Sequence, residues 1–597
     1  MSASPISAET LYAPRRRKTV PVTFGGVTIG GDAPVLVQSM TTTNARDVDA
    51  TVAETLALAK AGCRLVRITA PTEASAAALK DVVAKVRAAG CDVAISADIH
   101  FQPRAAYEAV KWVDKVRINP GNFVDRGIQS TATWDDVSWA EAVARVEESF
   151  GALVEMAKER GVAIRIGTNH GSLSQRMVWK YGDTVEGMVE SALEYLRVCE
   201  AHDFHDVVFS MKSSNPKVVV EAYRMLAARL DSEFRPYPLH VGVTEAGEGE
   251  DGRLKSSVGI GALLLDGLGD TVRVSLTEPP VAEIPVAAEL VRLADVRNQG
   301  GVEFPKPLPA PAHDPFRFSR RAASRVECGP FAVGGNEPLR VAVDGSLAGA
   351  AESGAELVSG RDFPTFGAAE PGLEAALAGD GPVEIRVSSP AEFETALGLA
   401  SRAAAPLLWS WCGPDGSETV GTRWLAAALR AAGREDPLVL RAKLPAGDAG
   451  RMSGGARIGS LLVDGIGDLV CVDAAGDAAA SAKLGFDLLQ ASGRRRTRTE
   501  YISCPSCGRT LYDLVSVTEK IKARTSHLAD VAIGIMGCIV NGPGEMADAD
   551  FGYVGGAPGK IDLYVKRECV KKGIPSDQAV EALVDLIKAH GRWKDPA

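Results

Sequence analysis

Eight times between Val35 and Leu290 the chain repeats one unit: a short β-branched run, a polar turn and an amphipathic helical stretch. The strand-like runs are Val35–Met40, Leu65–Thr69, Val93–Ile99, Lys115–Asn119, Ala163–Gly167, Val207–Met211, Leu239–Thr244 and Thr271–Ser275. Eight strands alternating with helices over this length fit a (β/α)8 TIM barrel better than an open doubly wound sheet. No Gly-x-Gly-x-x-Gly follows the first run, which removes the main mark of a dinucleotide fold. At 597 residues the chain exceeds one core, so further domains are expected.

Barrel chemistry sits where strands end and loops begin. Polar residues gather there: Arg67 in the second run, Asp98 and His100 after the third, Arg117 and Asn119 in the fourth. The fifth run brings Arg165, Asn169 and His170, the sixth Lys212, the seventh Glu245, and the eighth Arg273 and Ser275. One strand arginine is ordinarily a salt-bridged structural residue. Four of them with Lys212 are costly to bury without counter-ions, and Asp98 and Glu245 neutralise only part of that charge. A small polyanion resolves the imbalance, since the arginine fork matches phosphate oxygens. His100 and His170 also read as hydrogen-bonded core histidines, so they rank below Glu245. A formal net charge of −10 argues against general binding to nucleic acid or anionic membrane. The stretch Phe123–Trp139 is long for a loop of this type and carries no assigned role.

Five prolines between Gln299 and Pro315 mark a stiff linker. Beyond it the sequence echoes itself. The segment from Gly261 to Ser275 (GALLLDGLGDTVRVS) is answered by Gly459 to Asp473 (GSLLVDGIGDLVCVD), and Glu245 by Pro445. The frame survives while Arg273 has become Cys471 and Ser275 has become Asp473, the pattern of a duplicated barrel that lost its site. The expected domains are 1–300, a substrate barrel; 301–495, an inserted degenerate barrel; and 496–597, a small α+β unit. In that last unit Asp530–Met536 and Lys560–Val565 read as strands, Leu511–Lys522 and Ser576–His590 as helices, with Ser576 as an N-cap.

The α+β unit opens with Cys504-Pro-Ser-Cys507-Gly-Arg and continues with Met-Gly-Cys538-Ile-Val-Asn541-Gly-Pro-Gly-Glu545. Three thiolates suit zinc or an iron–sulfur cluster, and composition alone does not separate the two. No fourth cysteine lies nearby, because Cys569 falls in a lysine-rich, helix-like stretch, and Glu545 is the best neighbouring carboxylate. The remaining cysteines are scattered, as thiols in a reducing compartment are, and no apolar run is long enough for a membrane span. A cytoplasmic, bacterial protein is expected.

These two cysteine motifs closely resemble those of the 4-hydroxy-3-methylbut-2-en-1-yl diphosphate synthases. Val-Gln-Ser-Met-Thr, Arg-Ile-Asn-Pro-Gly-Asn, Gly-Thr-Asn-His-Gly-Ser-Leu and Val-Thr-Glu-Ala-Gly extend the likeness across the barrel. The resemblance implies a [4Fe-4S] cluster held by Cys504, Cys507, Cys538 and Glu545, in the three-domain form found in plants and some bacteria. It implies that Arg67, Arg117, Arg165, Lys212, Arg273 and Ser275 grip the phosphates of 2-C-methyl-D-erythritol 2,4-cyclodiphosphate. Asp98, His100, Asn119, Asn169 and His170 would line its carbon skeleton, with Glu245 as acid/base. Flavodoxin or ferredoxin would supply single electrons. A homodimer is one arrangement, since in two-domain relatives one subunit's cluster domain caps its partner's barrel. Here the insert is expected to be catalytically silent and to carry the cap back over its own barrel. Two other classes stay in view: an iron–sulfur hydro-lyase acting on a small phosphorylated substrate, and a phosphate-ligand sensor with structural zinc. No Cys-x-x-x-Cys-x-x-Cys supports a radical enzyme.

Overall fold

A short hairpin, Val22–Phe24 (β1) and Val27–Ile29 (β2), leads into eight parallel strands in a computed structural model. These are Leu36–Met40 (β3), Leu65–Thr69 (β4), Ala94–Asp98 (β5), Lys115–Ile118 (β6), Ala163–Asn169 (β7), Val207–Lys212 (β8), His240–Val241 (β9) and Thr271–Val272 (β10). The structure describes residues 6–125, 134–295, 301–539, 542–546 and 548–596. Strand β10 pairs with both β9 and β3, and a bridge from Phe209 to Leu239 joins β8 to the β9 segment, so the sheet closes into the expected barrel. The last two strands are shorter than their apolar runs; beyond Val241 of β9 the chain turns into the loop where Glu245 adopts a left-handed backbone (φ 47°). Apolar side chains of the hairpin, including Phe24 and Ile29, pack on Leu36, Leu65, Ala94, Ala163 and Val208 and fill the N-terminal end. That plug leaves the C-terminal end for polar groups. Part of the long loop after β6, residues 126–133, lies outside the described residues.

By packing, the chain divides into two units. Lys18–Gly252, Gly269–Ala288 and Arg498–Ala597 form one, and Met1–Arg17, Arg253–Leu268 and Glu289–Thr497 the other. The second unit repeats the first barrel's plan with one strand fewer. A hairpin, Val326–Cys328 (β11) and Phe331–Val333 (β12), precedes Arg340–Asp344 (β13), Leu357–Ser359 (β14), Thr365–Gly367 (β15), Val383–Val387 (β16), Leu407–Trp411 (β17), Val439–Leu444 (β18) and Leu469–Ala474 (β19). The parallel pairs β14–β13–β19–β18 and β15–β16–β17 are joined by bridges from Ser359 to Phe363 and Trp409 to Leu438, making one ring.

The internal echo is visible bond by bond. Arg17 N–H donates to Gly267 O, and Arg321 N–H to Gly465 O. Asp270 accepts the Leu239 N–H at 2.9 Å, and Asp468 accepts the Leu438 N–H at 3.0 Å. At the centre of this ring Arg441 clasps the buried Glu384 (2.7 and 2.6 Å) and reaches Ser359 Oγ at 2.6 Å and Cys471 Sγ at 3.3 Å. The cation here is neutralised inside the protein.

The C-terminal domain adds five strands in the order of their sequence: Glu500–Ser503 (β20), Ala532–Met536 (β21), Phe551–Ala557 (β22), Lys560–Val565 (β23) and Glu568–Pro575 (β24). Helices Leu514–Thr525 and Ala579–Ala589 bury Leu514, Ile521, Leu583 and Ile587 against Ile533, Ile535, Tyr553 and Leu563 of the sheet. Cys569 is therefore not in a helix. It lies on β24, whose charged residues face outward from an edge strand, a place where lysine is favoured. The last helix starts later than expected: Gln578 precedes it without a side-chain cap, and Ser576 stands outside. No helix among the described residues is long and apolar enough to cross a membrane.

Candidate active site

At the C-terminal mouth of the first barrel, five cations meet in one cavity: Arg67 of β4, Arg117 of β6, Arg165 of β7, Lys212 of β8 and Arg273 just after β10. Each barrel strand sends alternate side chains inward, so residues at matching heights converge. Lys212 reaches the centre because Gly242 has no side chain; a Cβ there would stand 2.1 Å from Nζ. Their internal partners are few. Arg117 donates to Asp98 Oδ1 (3.0 Å), His100 Nε2 (2.6 Å), Gly167 O (2.9 Å) and Asn169 Oδ1 (3.0 Å). Arg165 donates to Ser210 Oγ at 2.6 Å. Arg67 Nη2 meets the Met40 thioether at 2.9 Å. Buried Nε atoms of Arg67, Arg117 and Arg165, and Ser275 Oγ, meet no hydrogen-bond partner in the protein. Unsatisfied buried donors of this kind mark a place for an anion.

The electrostatics agree. Burial first, then Arg165, Arg67, Arg273 and Arg117, hold the Lys212 ammonium well below its ordinary range. Burial, opposed by Asp98, brings Arg67 down to about 10. Burial alone would raise the Asp98 carboxyl, but Arg117, Arg67 and His100 outweigh it and hold it well below. His100 Nε2 faces both Arg117 Nη1 at 2.6 Å and Asp98 Oδ2 at 3.3 Å; arginine only donates, so the shorter contact favours Nε2 as acceptor with the proton on Nδ1. Burial, with Arg509 and Arg117 beside the ring, lowers His100 to about 3, which keeps it neutral.

The C-terminal domain of the same unit covers this mouth. Ala246, after β9, pairs with Ser503 of β20 as a parallel bridge, and Thr277 Oγ1 lies 2.9 Å from Ser503 Oγ and donates to Cys504 O at 3.1 Å. Lys522–Glu248 (2.8 Å) and Arg567–Asp183 (2.6 Å) ion pairs frame the contact. Gly171 and Gly544 touch backbone to backbone; a Cβ on either would meet the other's carbonyl oxygen at 2.1 Å. This brings Cys504, Cys507, Cys538 and Glu545 to the wall of the same cavity. Asn169 donates its amide to Glu545 Oε1. Glu245 is buried with Oε2 unpartnered; burial first, and the Glu545 carboxylate beside it second, hold its carboxyl well above the usual range. Gly537 N–H donates to Cys504 Sγ at 3.3 Å, a contact that suits a cluster-bound thiolate. Burial pushes the Cys504 thiol up, so ionising it calls for a cation at the sulfur. Three thiols, a carboxylate and a backbone donor to sulfur fit a [4Fe-4S] cluster.

The structure brings together in this cavity all the residues singled out from the sequence except two. Asn119 instead donates to Ser172 Oγ (3.1 Å) and accepts the Gly121 N–H (3.1 Å), shaping the loop after β6. His170 turns toward Asp183, with Nε2 3.3 Å from its carbonyl oxygen. Asn541 lies outside the described residues. Sequence reasoning missed Glu283, which takes two hydrogen bonds from Arg273 (3.1 and 3.0 Å) and one from Ser39 Oγ (2.6 Å). Arg273 therefore has its counter-ion within the barrel. Arg509 was missed too, although it stands two residues after the Cys-x-x-Cys pair and lines the cavity.

A cationic barrel mouth closed by a thiol-bearing α+β domain defines a two-part iron–sulfur enzyme. Residues 19–288 match the GcpE TIM-barrel domain and residues 500–589 the GcpE protein C-terminal domain. A 4-hydroxy-3-methylbut-2-en-1-yl diphosphate synthase (flavodoxin) of Akkermansia muciniphila is 46% identical, covering 98% of each chain. One from Porphyromonas gingivalis is 42% identical over 98% of this chain and 99% of its own. The chloroplastic, ferredoxin-named synthase of Oryza sativa subsp. japonica is 40% identical over 98% of this chain and 89% of its own. The chain belongs to the 4-hydroxy-3-methylbut-2-en-1-yl diphosphate synthase family.

Proposed function

We propose that this chain carries out its family's reaction, the reductive dehydroxylation and ring opening of 2-C-methyl-D-erythritol 2,4-cyclodiphosphate to 4-hydroxy-3-methylbut-2-enyl diphosphate. The observation that carries this reading is the single cavity shared by unsatisfied arginine donors and by Cys504, Cys507, Cys538 and Glu545. Two electrons and two protons enter. The bond from C2 to the phosphate oxygen breaks, leaving the diphosphate on C4, and the C3 oxygen departs as water. Cys504, Cys507, Cys538 and Glu545 would hold a [4Fe-4S] cluster, which would supply the electrons singly from flavodoxin or ferredoxin in the cytoplasm.

The residues divide the remaining work. Arg67, Arg165, Lys212 and Ser275 hold the diphosphate, joined by the one unmet donor of Arg117. Asp98 fixes Arg117 and Arg165, 3.0 and 3.8 Å from its Oδ1, and His100 offers its Nδ1–H as a neutral donor. Asn169 orients Glu545, an oxygen ligand more readily exchanged than a fourth thiolate. Glu245, protonated in its buried setting, delivers a proton from Oε2 to the departing hydroxyl. We assign 301–495 to a domain without a site of its own, its central arginine already paired to Glu384.

The test is anaerobic purification with iron and sulfide analysis, followed by turnover of the cyclic diphosphate. Strict dependence on a one-electron carrier supports the reading, whereas turnover without any reductant would make the protein a hydro-lyase.

A further inference from the structure

The cap contributes a cation as well as its thiols. Arg509 leaves the Cys504–Cys507 loop where Gly508 lies against the Thr43 carbonyl of the barrel loop, so close that a Cβ would stand 2.6 Å from it. From there the side chain lines the cavity with Asp98 and His100 of the barrel and Cys507, Cys538 and Glu545 of the cap. Its Nε and Nη1 atoms are buried and meet no hydrogen-bond partner in the protein. A guanidinium taken out of water with two donors unmet is costly. A ligand oxyanion would satisfy both through the arginine fork.

We propose that Arg509 is a substrate-binding residue, donating Nε–H and Nη1–H to phosphate oxygens of the cyclic diphosphate from the cap side, so that the substrate is gripped by both domains. The inference rests on the function proposed above. It gives the cap a part in recognition: the barrel alone lacks one of the cations that hold the ligand, and binding and closure become coupled. It also separates Arg509 from Arg273, whose Nε and Nη2 already donate to Glu283.

The experiment measures the affinity of the oxidised, cluster-loaded protein for the cyclic diphosphate by calorimetry in wild type, Arg509→Lys and Arg509→Gln. Iron content and the visible spectrum are recorded on the same samples. Lysine keeps the charge but not the fork. Loss of charge-assisted hydrogen bonds predicts a fall in affinity of about ten- to a hundred-fold in both variants. The lysine variant should keep its full iron content and spectrum. Wild-type affinity in both variants would overturn the proposal. So would loss of iron in the lysine variant in step with its loss of affinity, since Arg509 would then hold the cluster site together. If the wild-type protein itself does not bind the cyclic diphosphate, the fault lies in the functional reading and not in Arg509.

Discussion

Asn169 of the barrel donates its side-chain amide to Glu545 of the cap, while its carbonyl oxygen takes a hydrogen bond from Arg117 at 3.0 Å. One residue thus ties the phosphate-facing arginine to the carboxylate beside the cysteines. Replacing Asn169 by alanine removes a charge-assisted hydrogen bond, an effect of about 1.5–3 kcal/mol. The expected outcome is a drop in kcat of about ten-fold or more with iron content unchanged. An unaltered kcat would show that Glu545 is positioned by other contacts.

Glu545→Gln should impair turnover severely while much of the iron is retained, because three thiolates remain. Serine at Cys504, Cys507 or Cys538 should abolish cluster and activity together and leave the barrel folded. Iron analysis and circular dichroism separate these outcomes. A serine variant with full iron content would remove that cysteine from the ligand set.

Binding of the cyclic diphosphate should take up protons. Burial and its arginine neighbours depress the Lys212 ammonium in the ligand-free protein. An arriving dianion reverses that repulsion and raises the lysine's proton affinity. The sign follows: the complex binds more protons than the free protein, so affinity strengthens as pH falls through the range between the two lysine values. Calorimetry in buffers of different ionisation enthalpy reads the uptake directly. Proton release on binding would contradict the account of the cationic mouth.

Much of this site was legible in the sequence because the barrel imposes a rule. Residues at strand ends converge, so Arg67, Asp98, Arg117, Arg165 and Lys212 could be gathered without coordinates. The rule fails where a side chain turns sideways, as Asn119 and His170 do toward Ser172 and Asp183. It fails also for a carboxylate that lies on no barrel strand: Glu283 meets Ser39 across 244 positions and Arg273 across ten. The edge strand Glu568–Pro575 read as helical because its lysines carry no alternating apolar face. The insert's barrel-like character is legible in the echo between Gly261–Ser275 and Gly459–Asp473, whereas its count of seven strands and the Arg441–Glu384 pair depend on strands far apart in sequence.

That pair gives a prediction for the insert. Glu384→Gln leaves the buried Arg441 with only Asp344, 3.6 Å from Nη1 and half exposed to solvent, as its counter-charge and should destabilise the insert by up to about 3 kcal/mol. The double substitution of Cys471 and Asp473 should leave turnover nearly unchanged. Thermal unfolding and steady-state rates check the two halves, and a large loss of kcat in the double variant would give the insert a catalytic part.

The central claim is that one chain's cap closes its own barrel. Mixing a Cys538→Ser chain with an Arg117→Ala chain tests it most directly, since each variant carries one dead half of its own site. Closure within a chain predicts no recovery of turnover over either variant alone. Substantial recovered activity would mean that the cap is supplied by a neighbouring chain, and would contradict the account.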